Sequence, residues 1–194
     1  MIDVETSGFS RQKCDIVEIA VVHPEGPTVV FDTLLRPLRR IGNREIHGIT
    51  NRDVRHAPRL AEVAGALLDV LCGRVIVAHN AAFDLAFLQR ALVAAGHDVP
   101  LPHLCTMGLL DRLTGRRLAL EDACAAQGVP LHRGRHRAAE DALATAQLLR
   151  TLLLEPGARA AIFEMVPSDP VPAGAGHGIG GRAPLRPRST TPIG

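Results

Sequence analysis

Ile2-Asp3-Val4-Glu5-Thr6-Ser7-Gly8 sets two carboxylates two residues apart in a short apolar run that ends in a loop. On a β-strand, residues i and i+2 share a face, so Asp3 and Glu5 project side by side. Two ionised carboxylates repel by about 4 kcal/mol at ~4 Å and an effective dielectric of about 20. The pair therefore needs either solvation at the end of an edge strand or a cation between its members. The flanking sequence makes this stretch the first strand of a sheet. Asp15 to Val22 alternates and then runs apolar, as a strand covered on one or both faces does. His23-Pro24-Glu25-Gly26-Pro27 is turn chemistry, and Thr28 to Leu35 reads as a third strand stopped by Pro37. The pattern predicts a three-stranded antiparallel meander with Asp3 and Glu5 on its first strand.

Residues 36–58 read as irregular and contain Ile46-His47-Gly48-Ile49-Thr50. Pro58 suits the first turn of a helix, in which Leu60, Val63, Leu67, Leu68 and Leu71 recur at helical spacing as far as Cys72. Val75 to Ala78 is wholly apolar, the mark of a buried parallel strand. His79-Asn80-Ala81-Ala82-Phe83-Asp84 leads into a helix over Leu85 to Ala95. A short strand at Leu104 to Thr106 and helices over Met107 to Leu113, Leu118 to Gln127 and Ala138 to Leu154 complete the pattern. This order predicts an α/β domain over residues 1–154, a mixed five-stranded sheet flanked by helices. Beyond it, one helical turn is expected around Ala160 to Val166. The Pro-, Gly- and Arg-rich chain from Pro167 is expected to be disordered, so residues 155–194 read as a tail.

Apolar residues make up 46% of the 194-residue chain, but Trp and Tyr are absent, so Leu, Val and Ala must fill the core. The net charge of +2 is too small to indicate a nucleic-acid partner by itself. Lys13 is the single lysine; the Arg that carries the rest suits phosphate recognition, or simply reflects genomic base composition. Cys14, Cys72, Cys105 and Cys124 form no C-x-x-C pair and read as free thiols of a reducing compartment. With no signal peptide opening the chain and no long apolar run, a soluble, cytoplasmic protein without a membrane partner is expected.

Three further residues join the opening pair. Asp84 stands just after the buried strand and at a helix start, where sheet topology places ligands, though an isolated Asp there commonly serves the helix terminus. Asp141 lies on an Ala-rich helix, where a solvated face is the plain reading. His136 precedes it by five residues in a basic loop. Together, Asp3, Glu5, Asp84 and Asp141 bring four carboxylates from three elements, and sharing one cleft would require about four positive charges. Two Mg²⁺ or Mn²⁺ ions, hard cations that prefer oxygen ligands, would supply them. Such a pair can grip the attacking and leaving oxygens of an in-line phosphoryl displacement. A histidine titrating near neutrality can take the proton of the attacking water. Without a thiolate pair, nothing demands zinc.

Residues 2–8 resemble the first motif of the DEDD exonucleases, usually D-x-E-T-T-G. His79 to Asp84 resembles their second motif. His136-Arg137-Ala138-Ala139-Glu140-Asp141-Ala142 resembles the third, with the H-x-x-x-x-D spacing of the histidine subclass. Ile46 to Thr50 is similar to a string typical of the proofreading epsilon subunit of bacterial DNA polymerase III. The resemblance covers residues 1 to about 154. It implies an RNase H-like fold and metal-dependent 3′→5′ removal of nucleoside monophosphates from single-stranded or frayed DNA ends. It makes Asp3, Glu5, Asp84 and Asp141 the ligands of two Mg²⁺ or Mn²⁺ ions and His136 the general base. Thr6 and His47 match positions near the terminal nucleotide and are carried as substrate contacts. A DNA polymerase subunit is the implied protein partner. Short RNA, as in oligoribonuclease-like relatives, stays open as the substrate. A catalytically inactive nucleic-acid-binding or polymerase-binding module is the rival from another class.

One departure bears on stability. Relatives carry several apolar residues before the first Asp, whereas here only Met1 and Ile2 precede Asp3. A central strand without its first half leaves neighbouring backbone groups unpaired and the core open. The expectation is either a true start upstream or a less stable protein.

Overall fold

The computed structural model describes residues 1–26, 28–131, 136–166 and 171. The expected meander is present: β1 (Ile2–Thr6) pairs antiparallel with β2 (Ile16–His23), which pairs antiparallel with β3 (Thr28–Leu34). β2 is buried along nearly its whole length, as its near-continuous apolar sequence requires, while β3 alternates in exposure as an edge strand does. Residues 36–58 are not wholly irregular, for α1 (Arg44–His47) is a single helical turn closed by Gly48. Gly48 takes φ +71°, the left-handed conformation that lets its N–H return to the Arg44 carbonyl, 2.8 Å away.

Next come α2 (Leu60–Leu71), β4 (Ile76–Ala78), α3 (Ala81–Ala94), β5 (His103–Cys105) and α4 (Thr106–Thr114). α5 (Leu120–Ala126), α6 (Ala138–Leu152) and α7 (Ala158–Met165) complete the order. β4 and β5 pair in parallel. Hydrogen bonding among the described residues thus gives a three-stranded and a two-stranded sheet, not one five-stranded ladder. β4 lies beside β1, but it is only three residues long. Above it the Val4 N–H, which faces away from β2, donates to Asp84 Oδ1 at 3.2 Å. A side chain takes the place of the next rung.

The two faces of the meander carry different loads. Ile2, Val4, Ile19 and Val21 pack with the leucines of α2 and α3 into the main core. On the opposite face, Met1 and Val22 meet Ala142 and Ala146 of α6. Alanines along this side of α6 let the helix approach β1 and β2 closely, and that approach brings Asp141 towards Asp3 and Glu5. A second core joins α4, α5, α6 and α7. α7 forms two helical turns where the sequence indicated one, because Ala161 is buried in that core and Ile162 and Met165 pack against it. Val171 is also buried and exchanges backbone hydrogen bonds with Gly73 and Arg74. The disorder expected from Pro167 onward otherwise falls outside the described residues.

The Met1 amino group donates to the Val22 carbonyl, so the β1–β2 ladder is satisfied as far as it runs. Beyond it lies a largely apolar groove of about 500 Å³ lined by Met1, Val22, Val30, Val70, Val77 and Leu149, among others. No helix among the described residues is long and apolar enough to cross a membrane. The four cysteines are free thiols; Cys124 is buried and the other three are half-buried.

Candidate active site

β1 delivers Asp3 and Glu5 to the α6 face, as the period-two reading requires. Ala20 stands opposite Asp3 on β2, where its small side chain leaves room, and Glu18 stands opposite Glu5. Between Glu5 and Thr6 the register slips, so that Thr6 faces Ile16 and Val17 is the extra residue. The bulge ends regular pairing just past the carboxylates and turns the strand into the Gly8 loop. α3 begins at Ala81, not at Leu85, so Asp84 stands in its first turn. Asp141 holds the corresponding place in the first turn of α6.

Glu5, Asp84 and Asp141 are buried. His136, exposed at the mouth, places Nδ1 2.9 Å from Asp141 Oδ2. One ligating atom each from Glu5, His136 and Asp141 lies within 4.8 Å of the others. Burial, followed by the charges of Asp84, Asp141, Glu5 and Glu18, raises the Asp3 pKa well above the ordinary carboxylate value. Burial also pushes Glu5 up to about 8, reinforced by Asp141, Glu18 and Asp84 and opposed by Arg137. Asp84 rises to about 7, mainly by burial, although backbone hydrogen bonds from its own N–H and from Val4 oppose the shift. Glu5, His136 and Asp141, whose ligating atoms lie within reach of one another, fit a divalent cation; Asp3 and Asp84 bear on that group through their charges, and their oxygens are not part of it.

The remaining residues of the motifs hold the frame. The His47 ring is buried, and its Nδ1 accepts the Ile49 N–H at 3.0 Å. Its Nε2 must therefore carry a proton, donated to the Thr6 carbonyl at 3.1 Å. Burial lowers the His47 pKa, in keeping with a neutral ring. The Thr6 hydroxyl donates to the Gly8 carbonyl at 2.9 Å. Both residues expected to touch the terminal nucleotide thus spend their side-chain polar atoms on the strand end and its loop. His47 also lines a cleft of about 510 Å³ with Leu34, Ile49, Arg137 and Glu140. His79 is buried between the Thr106 hydroxyl, 2.9 Å from Nδ1, and the Leu118 carbonyl, 3.0 Å from Nε2. It joins the start of the second motif to α4 and the chain before α5.

Two residues of the site escaped the sequence reading. Glu18 is buried on β2, and Arg137 grips it with Nε and Nη2. The signal was present, since a carboxylate inside the apolar run Ile16-Val17-Glu18-Ile19-Ala20 cannot be buried without a partner. What the sequence lacked was the partner's address, 119 residues away.

Comparison with known proteins agrees with this geometry. The profile of the exonuclease family designated RNase_T matches residues 1–149. The chain belongs to that exonuclease family. It is 32% identical over 156 residues to a PolC-type DNA polymerase III of Clostridium perfringens, a match covering 77% of this chain and 11% of the polymerase. The chain spans about a tenth of the length of such relatives. To the DNA polymerase III subunit epsilon of Aquifex aeolicus it is 28% identical over 162 residues, 80% of each protein. Exonuclease X, solved in complex with 5′ overhanging duplex DNA, superposes with a TM-score of 0.58 at 31% identity, covering 78% of this chain and 89% of that one. The motif resemblance to DEDD exonucleases and to the polymerase III epsilon subunit is borne out by these matches, as is the α/β, RNase H-like architecture. The family depends on divalent metal ions, in accord with the oxygen-rich cluster.

Proposed function

We propose that the chain is a 3′→5′ exonuclease that releases nucleoside monophosphates from single-stranded or frayed DNA ends, in proofreading or repair. The observation that carries this reading is the group Glu5, Asp141 and His136, whose ligating atoms lie within 4.8 Å of one another and on which the charges of Asp3 and Asp84 bear. The four carboxylates would hold two Mg²⁺ or Mn²⁺ ions, which supply positive charge to the oxygens of a displaced phosphodiester. Asp141, when ionised, can only accept, so His136 donates through Nδ1 and keeps Nε2 free to take the proton of the attacking water. Thr6 and His47 shape the pocket of the terminal nucleotide through the backbone they hold. The exonuclease unit runs over residues 1–154, with α7 docked on it and the β4–β5 pair set beside the β1 edge of the meander. The names of the relatives support association with a DNA polymerase, and a cytoplasmic location belongs to the same reading.

A 5′-labelled single-stranded DNA oligonucleotide tests the reading. Successive shortening from the 3′ end in Mg²⁺ or Mn²⁺ supports it, and an RNA oligonucleotide trimmed faster would transfer it to RNA. Binding of the oligonucleotide without trimming would replace it with an inactive nucleic-acid-binding module.

A further inference from the structure

Among the described residues, Glu18 is a further buried carboxylate beside the proposed ligands. Glu18 is the cross-strand partner of Glu5, so their side chains emerge side by side from one face of the meander. Glu18 is committed elsewhere. Its Oε1 accepts from Arg137 Nε and Nη2 at 3.1 and 2.5 Å, and its Oε2 accepts from Nε at 3.0 Å and from the Ala138 N–H at 3.0 Å. These bonds hold the residue that follows His136 and the first N–H of α6. The His136 N–H itself donates to the Ile46 carbonyl at 3.1 Å. The chain is therefore pinned on both sides of the His136 ring, by the α1 turn and by β2. Arg137 is half-exposed, and its guanidinium forms a planar two-point contact that a lysine ammonium cannot reproduce.

We propose that Glu18 and Arg137 form a positioning clamp, which sets the His136 ring over the carboxylate cluster and keeps Glu18 from joining that cluster as a further ligand. The proposal rests on the exonuclease reading. Neither residue touches the reacting atoms; both act through the placement of His136 and Asp141.

The test compares wild-type protein with Arg137→Lys, Arg137→Gln, Glu18→Gln and the Glu18→Gln/Arg137→Gln double variant. The readouts are kcat and KM for oligonucleotide trimming, and Mn²⁺ binding by calorimetry. The clamp predicts a fall in kcat of ~10-fold or more for Arg137→Gln, with KM changed by less than about threefold, since misplacing a catalytic group costs rate and not binding. Arg137→Lys keeps the charge and loses the fork, so its kcat is expected between those of wild type and Arg137→Gln. Freed from Arg137, Glu18 is expected to change Mn²⁺ affinity at least ~3-fold, and adding Glu18→Gln to reverse that change. The calorimetry also covers a variant too slow to assay. A raised KM at unchanged kcat would make Arg137 a substrate contact and overturn the clamp. So would full activity in Arg137→Lys, or Mn²⁺ binding indifferent to all four variants. Wild-type protein that trims nothing in Mg²⁺ or Mn²⁺ defeats the exonuclease reading instead.

Discussion

In the proposed mechanism His136 and Asp141 act through one contact of 2.9 Å, each with a different role. Removing the imidazole leaves the attacking water without its proton acceptor, a loss of about 10²–10⁴ in rate for a general base. Removing the Asp141 carboxylate takes the proposed metal ligand and the partner of the His136 ring. His136→Ala and Asp141→Ala are each expected to cut mononucleotide release at least ~100-fold while leaving the circular dichroism spectrum unchanged. Release at the wild-type rate in either variant would remove that residue from the mechanism. His47 is expected to behave differently. Its ring holds the Thr6 carbonyl and the Ile49 N–H, so His47→Ala leaves buried polar groups unpaired and should lower the thermal midpoint as well as the rate, at a cost of about 1–3 kcal/mol. Loss of rate with an unshifted midpoint would instead make it a direct substrate contact. At this scale, the five proposed catalytic positions were legible because carboxylates and a histidine in three ordered motifs have one chemistry in common. The inward commitment of His47 was not, because a hydrogen-bond partner 41 residues away leaves no local pattern.

Strands and helices followed from hydrophobic period almost throughout, and the departures have physical causes. α3 begins four residues earlier than the apolar pattern indicated, because Ala81 to Asp84 add little periodicity but adopt helical backbone against the main core. α7 gained a second turn through burial on α4 and α6, a tertiary contribution that propensity cannot contain. The five-strand expectation counted strands correctly by sequence, but Asp84 takes the Val4 N–H where a β1–β4 rung would form. The α6–sheet contact makes a direct element-scale prediction. Ala142 and Ala146 set the separation between α6 and β1, so Ala142→Leu overpacks the contact and should destabilise by about 1–3 kcal/mol while pushing Asp141 from Glu5. Thermal unfolding checks the first effect, and trimming rate the second. An unchanged midpoint would show that α6 does not depend on close approach.

The molecule as a whole stores like charge in its cleft, and that sets its response to pH. Glu5, ordinarily near 4.5, rises to about 8, and Asp84, ordinarily near 3.8, to about 7. Between those limits the folded protein holds protons that the unfolded chain has released, so stability falls as pH rises. Their stabilising effect is complete below the unfolded values and gone once pH passes the folded ones. In chelator, the thermal midpoint is expected to be higher near pH 6 than near pH 8.5, by on the order of a few kcal/mol in stability. Mn²⁺ should recover much of the loss at the higher pH by binding the folded state alone. A midpoint that rises with pH in chelator would contradict the charge balance described for the site.

The same charge balance ties stability to activity, and the most direct measurement joins the two in one preparation. Protein stripped with EDTA is assayed for mononucleotide release from a DNA 3′ end, before and after Mg²⁺ or Mn²⁺ is added back, with Asp141→Ala alongside. Release absent in chelator, restored by either ion and missing from Asp141→Ala is the predicted result. Release that persists in chelator, or that Asp141→Ala supports as well as wild type, would contradict a carboxylate-held metal centre.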